Sequence, residues 1–340
     1  MKPTDFSRHL SNFLSKYLPG ERGVSPNTIS SYRYTFILFL AFMEKSKNIS
    51  ATKLNLGDVT REVVIDFLNW LQIERKCSPA SQNVRLAALH SFFHFLQYNL
   101  PDHMAEWQRI LSIQVKKSKK EPVSYLTLNG IKLLLEQPDT ATRKGRRDLA
   151  MLALMYDSGA RVKEIIDTEP SSIRMDKPYI IKIIGKGNKA RVVPLVEQSL
   201  GQIKRYMEEN NLLLSNMRSS PLFSNSRNEK LTRAGINGIL KKYADMARNK
   251  NAEIIPEKIS PHSLRHSKAM HLLQAGVNLV YIRDFLGHES VQTTEIYARA
   301  DSKQKREAIE MAYVNVITKE TPAWVENNNL LQWLKDFRQD

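Results

Sequence analysis

Residues 259–300 read ISPHSLRHSKAMHLLQAGVNLVYIRDFLGHESVQTTEIYARA and hold four of the chain's eight histidines. Three short helices are expected here. Ser260 caps the first, with Pro261 at its first position, where a missing N–H costs nothing. Gly276 ends that helix. Asn278 opens the second, which stops at Gly287. Ser290 is expected to cap the third. Polar reactive side chains lie at or near these ends: His262 and Arg265 on the first helix, His288 between the last two, Tyr297 late in the third. Helix ends attract phosphate, because unpaired N–H groups and the dipole converge there.

The order is His262-x-x-Arg265, then 23 positions to His288, then nine to Tyr297. This spacing resembles the C-terminal signature of the tyrosine recombinases (phage integrase family): H-x-x-R, L-G-H and a nucleophilic tyrosine. Here the three pieces read HSLRH, FLGH and TEIY. Two upstream pieces agree. SGARVKEI resembles the family's T-G-x-R-x-x-E and supplies Arg161 and Glu164. IIGKGNKARVVPL resembles G-K-G-x-K-x-R and supplies Lys186, with Lys189 and Arg191 after it. The flanks YIIKII and ARVVPL are short and β-branched around Gly185, Gly187 and Asn188, so a β-hairpin with Lys186 in its turn follows from the residues alone. The resemblance covers roughly residues 20–315 and is densest over 155–300.

A chain of 340 residues suits two domains better than one core. The longest apolar run, TFILFLAFM, is far too short to span a bilayer, and MKPTDFSRHL has no secretory apolar segment. The single cysteine, Cys77, excludes an intrachain disulfide and fits a reducing, cytoplasmic compartment. Formal net charge is +16. The excess lies in both expected domains and peaks at 113–120, where Lys116, Lys117, Lys119 and Lys120 stand without an acid. Residues 301–340 carry six basic and seven acidic side chains. That distribution suits a polyanion held between two domains, and equally a basic soluble protein.

Residues 1–112 read as an all-helical bundle. Ser25 or Asn27 caps a helix over 25–45. Asp58 and Thr60 open a second. Ser78 and Pro79 open a third with Leu86, Leu89, Phe93 and Leu96 on one stripe. His90 and His94 stand four apart, but with no further ligand nearby they read as packing or surface residues. Residues 113–122 are a basic linker expected to contact DNA, which is compatible with its serving as a solvated hinge. Residues 123–315 read as a mixed α+β domain with one small antiparallel sheet. It has a helix over 128–136 capped by Thr127, a buried helix ending at Gly159, a short helix after Arg161, the hairpin, and two further helices. Residues 316–340 form an amphipathic tail, with Thr321 as cap and Leu330, Leu331, Leu334 and Phe337 on its stripe. His262, His266 and His271 stand at helical spacing, yet no cysteine or H-E-x-x-H accompanies them, so no metal is expected.

The resemblance implies a SAM-like core-binding bundle followed by a catalytic domain, with no room before Ser25 for an arm-binding domain. It implies strand cleavage through a 3′-phosphotyrosyl bond at Tyr297, leaving a free 5′-hydroxyl and needing neither metal nor ATP nor other cofactor. Arg161 and Arg265 then hold the phosphate, Lys186 protonates the leaving oxygen, His288 stabilises the phosphate, His262 helps deprotonate Tyr297, and Glu164 orients a basic neighbour. Lys116, Lys117, Lys119, Lys120, Lys189 and Arg191 are candidate DNA contacts. The expected partners are double-stranded DNA with inverted half-sites and further copies of the chain. These form a dimer on each site and a tetramer in a synapse with a Holliday junction, with the tail passed to a neighbouring protomer. Ala160, Ser267 and Lys268 depart from the family's commoner residues without removing a catalytic group. A mobile-element recombinase and a chromosome-dimer-resolving enzyme both fit. A type IB topoisomerase or a DNA-binding regulator of the same fold are the alternatives.

Overall fold

The computed structural model describes residues 3–100, 103–117 and 123–300, and the chain divides into two units, Met1–Glu121 and Pro122–Asp340. Lys119, Lys120 and the whole tail lie outside the described residues.

In the first unit, side-chain caps set the helix starts. Thr4 Oγ1 accepts from the Ser7 backbone N–H and opens α1 (Asp5–Asn12), which widens into π-helical turns over Phe13–Glu21. Ser25 opens α2 (Pro26–Lys47), Thr60 opens α3 (Arg61–Ile73) and Ser78 opens α4 (Pro79–Asn99). α5 (Met104–Leu111) completes the bundle. The three expected helices are present; α1 and α5 were not foreseen, because each is only eight residues long and shows barely two apolar turns. Aromatic rings fill the centre. Phe92 is fully buried and lies 5.2 Å from both Phe13 and Phe36, edge to face. His90 Nε2 is bonded to the Ile110 carbonyl at 3.2 Å, which ties α4 to α5. Asn83 holds the start of the linker: its side chain donates to the Lys116 carbonyl at 2.8 Å and accepts from the Lys116 N–H at 2.9 Å. The Lys116 ammonium turns onto Gln72 at 2.9 Å, while Lys117 is exposed.

In the second unit, Thr127 caps α6 (Leu128–Leu135) and Thr142 caps α7 (Arg143–Ser158). α7 is buried from Ala150 to Met155 and packs on α9 (Glu197–Glu209) and α11 (Pro261–Gln274). It ends at Gly159, whose φ of +56° favours glycine. Arg161 then opens α8 (Val162–Ile166). The sheet has the antiparallel order β1 (Ile173–Arg174), β2 (Ile180–Ile184), β3 (Ala190–Pro194). Its buried face carries Ile181, Ile183 and Val193, with Ile183 opposite Arg191. Thr232 caps α10 (Arg233–Lys250). α12 (Leu279–Leu286) starts at Asn278 and ends at Gly287 as expected.

The last expected helix is broken. Ser290 precedes only a 3₁₀ turn, Val291–Thr293, and α13 begins at Glu295, so Tyr297 lies in its first turn instead of late in a longer helix. The break leaves Thr294 fully buried with its hydroxyl against His288.

Phe92→Ala should cost about 3–5 kcal/mol, the usual penalty for emptying a buried aromatic site. The denaturant midpoint of the first unit, followed by Trp70 and Trp107 fluorescence, should fall accordingly.

Candidate active site

The C-terminus of α12 is where the site is assembled. The last carbonyls of a helix have no partner within it and carry the negative end of its dipole. Here three successive carbonyls each receive a different arginine. Arg191 Nε donates to Phe285 O at 3.0 Å, Arg265 Nη2 to Leu286 O at 2.6 Å, and Arg161 Nη2 to Gly287 O at 3.3 Å. Arg265 also donates to Gly159 O at 2.7 Å, so one buried guanidinium closes the ends of α7 and α12 together. Both ends need glycine. A Cβ on Gly159 would stand 2.9 Å from Leu286 Cδ2, and one on Gly287, at φ +64°, 3.0 Å from Arg191 Nη1.

Glu164 offsets part of this charge. Its carboxylate accepts from Arg161 Nη1 at 2.9 Å, from the Arg161 backbone at 2.8 Å, and from both Arg191 Nη groups at 3.1 and 2.7 Å. Burial alone would raise the Glu164 carboxyl; the hydrogen bonds from Arg191 and the Arg161 backbone outweigh it and hold it below the ordinary glutamate range. Arg191, expected on the DNA side of the hairpin, is instead turned inward. It shares the buried face of β3 with Val193, two residues on, and strand alternation aims it at Glu164. Burial, then Arg161 and Arg191, push Arg265 down to about 9, which leaves it charged at neutral pH.

The histidines in this field are neutral. Burial, then the arginines, push His288 down to about 4, and its Nδ1 is bonded to Thr294 Oγ1 at 2.9 Å. Burial, Arg265 and Arg161 lower His262. Tyr297, 1% exposed, stacks on His288 at 6.4 Å between centroids. Burial raises its phenol more than Arg265 and Arg161 lower it. Its hydroxyl does not meet His262. It is bonded to His266 Nδ1 at 2.9 Å, a residue to which the sequence assigns no catalytic part. His271 Nδ1 is bonded to the Tyr156 hydroxyl at 2.9 Å, and no group of three His, Cys, Asp or Glu converges for a metal among the described residues.

A cavity of about 610 Å³ opens beside these groups, lined among others by Arg161, Gly185, Lys189, Arg191 and His288. The turn Lys186–Asn188, with Gly187 at φ +72°, lies next to Gly185 on its rim, and Lys189 is exposed there. The two unusual residues of α11 serve packing: Ser267 Oγ accepts from the Leu126 N–H at 2.8 Å, and Lys268 pairs with buried Asp157 at 3.0 Å.

Residues 124–304 match the model of the phage integrase family, and residues 11–98 match its N-terminal SAM-like domain. The chain belongs to the phage integrase family. An integrase/recombinase of Sinorhizobium fredii, y4rC, is 33% identical over 96% of this chain and 97% of its own length. The tyrosine recombinase XerD of Listeria monocytogenes is 32% identical over 83% of this chain and 90% of its own. Among solved structures, the XerH site-specific recombinase in its post-cleavage complex with difH covers 89% of this chain and 84% of its own, with a TM-score of 0.66 at 22% identity. The Tn1549 transposon integrase bound to transposon right-end DNA covers 88% and 97%, with a TM-score of 0.68 at 15% identity. At those identities the likeness speaks for the fold. The chain is thus a tyrosine recombinase, mostly helical with one small antiparallel sheet. No described helix is long and apolar enough to cross a membrane.

Glu164→Gln should remove about 3–5 kcal/mol, because two guanidinium groups lose their charged partner. A carboxyl held below its unfolded value stabilises at neutral pH and loses that contribution as pH falls through its folded value. The stability gap between wild type and Glu164→Gln, measured by thermal unfolding, should therefore be largest near neutrality and close on the acid side.

Proposed function

We propose that this chain cuts and rejoins DNA strands at inverted half-sites through a 3′-phosphotyrosyl bond at Tyr297. In this reading four copies form a synapse, and exchange passes through a four-way junction. Residues 1–112 serve as the core-binding unit and 123–315 as the catalytic unit. The observation that carries the reading is the gathering of Arg161, Arg265, His288 and Tyr297, 136 positions apart at their extremes, at the end of α12, with Arg161 and His288 lining the cavity and Arg265 and Tyr297 buried. Two of the three guanidinium groups there pair with Glu164 and the third, Arg265, is bonded to carbonyls, which leaves positive charge for a phosphate.

The chemistry follows from that balance. A phosphodiester is anionic and has a poor leaving group, so its non-bridging oxygens need neutralisation. Arg161, about one-third exposed on the cavity, offers its planar fork to those oxygens. Arg265 acts from behind, fixed to two helix ends. His288, neutral and held by Thr294, donates to a phosphate oxygen without adding a charge that the arginines would repel. Lys186, at the hairpin tip, protonates the departing 5′ oxygen. The bond energy stays in the protein–DNA ester, so the reaction runs without metal or ATP. Lys116, Lys117, Lys119, Lys120 and Lys189 neutralise flanking phosphates, which gives binding a steep salt dependence. The tail, 316–340, is passed to a neighbouring protomer, and the protein works in the cytoplasm, where its DNA lies.

Tyr297→Phe removes only the hydroxyl. On a suicide substrate nicked beside the cleavage site, DNA binding should persist and the covalent adduct should vanish; an adduct with the phenylalanine variant would reassign the nucleophile. Lys186→Ala should slow cleavage about 10²–10⁴-fold on a normal phosphodiester, the usual worth of a general acid. A substrate with sulfur at the 5′-bridging position leaves without a proton and should recover most of that rate. Equal losses on both substrates would remove Lys186 from this role.

A further inference from the structure

Among the described residues the Tyr297 hydroxyl has one hydrogen-bond partner of a kind that takes protons: His266 Nδ1, at 2.9 Å, with the rings 5.7 Å apart. Tyr297 is 1% exposed, so bulk water does not reach it as a proton acceptor. A base must stand within hydrogen-bond reach of the proton that it removes. The arginines are donors only. His288 turns its Nδ1 to Thr294, and the His262 ring lies tilted 6.3 Å from that of His266. His266 follows Arg265 directly on α11, so acceptor and phosphate-binding arginine are carried by one helix whose position is pinned to α7 and α12.

Resting on the reading of Tyr297 as nucleophile, we infer that His266 is its general base. As the Tyr297 oxygen bonds to phosphorus and the bond from phosphorus to the 5′ oxygen breaks, the phenol proton passes to His266 Nδ1. The 5′ oxygen takes its own proton from Lys186. In rejoining, the incoming 5′-hydroxyl gives its proton back to Lys186, and imidazolium His266 returns the first proton to the departing tyrosine. Both groups finish as they began, so strand transfer needs no outside acid or base. Burial, His262 and Arg265 push His266 down to about 4, so it is present as the neutral acceptor. The arriving phosphate opposes the arginines' field and raises its proton affinity as the bond forms.

The test is single-turnover adduct formation on the nicked substrate. His266→Ala and His266→Gln should each slow it about 10²–10⁴-fold, with gel-shift affinity unchanged. Glutamine accepts a hydrogen bond but takes no proton, so a glutamine variant at wild-type rate would reduce His266 to an orienting role and overturn the proposal. Faster cleavage by the alanine variant would make the contact a resting latch, and would equally overturn it. Replacing Tyr297 by a fluorotyrosine of lower pKa should speed the His266→Ala enzyme and not the wild type; absence of that rescue would assign the loss to packing. An adduct formed by Tyr297→Phe would instead defeat the underlying reading of the nucleophile.

Discussion

Three arginines share the final carbonyls of α12, and the rest of the catalytic unit depends on that arrangement. Guanidinium groups this close repel one another, and their crowding is sustained by acceptors of the right sign. The unpaired carbonyls of Phe285, Leu286 and Gly287 supply the negative end of a helix dipole, and Glu164 supplies a full charge. Each arginine comes from a different element: α8, β3 and α11. The helix end is therefore a junction at which the hairpin, the buried helix α7 and the motif helix α11 are fixed to one another. Gly159 and Gly287 make the junction possible, since any Cβ at either would strike a neighbour across it.

The same cluster sets the state of every histidine around it. Burial and nearby guanidinium charge push His262, His266 and His288 downward, which favours the neutral form of all three. Neutral imidazoles are the useful form. A neutral imidazole can donate to an anion without adding to the arginines' charge, and can accept a proton from a phenol. Tyr297 experiences the opposing tendency: burial holds its proton on, and the arginines loosen it only partly. A buried phenol with a raised pKa keeps its proton until its surroundings change. The cluster's positive charge thus helps set the protonation of the histidines around it.

Local features were legible in the sequence. Ser25, Thr60, Ser78, Thr127 and Asn278 open the helices that their short polar side chains announce. Gly159 and Gly287 end theirs, and the Gly185–Asn188 turn joins β2 to β3. Such signals are local because a cap or a turn satisfies backbone groups two to four residues away. The motif spacing was legible for the same reason: residues carried on one short helix or turn keep their relative places. The break before α13 was not legible, since Thr294 turns its hydroxyl to His288, six residues back, in place of continuing a helix from Ser290.

What only the tertiary structure decided is which side chain each polar group meets. Arg191 reaches Glu164 across 27 positions and Phe285 across 94; Arg161 reaches Gly287 across 126; Tyr297 reaches His266 across 31. The sequence pointed to His262 for the phenol, whereas the phenol is bonded to His266, four residues on. Choosing between His262 and His266 depends on how α13 lies on α11, and that is set by burial of Ala269, Met270, Leu273 and Ile282 around Tyr297. Sequence thus determined the local geometry and the chemical repertoire. Packing determined the pairings, because hydrogen bonds are directional over a few ångströms while apolar burial, which brings the segments together, is not.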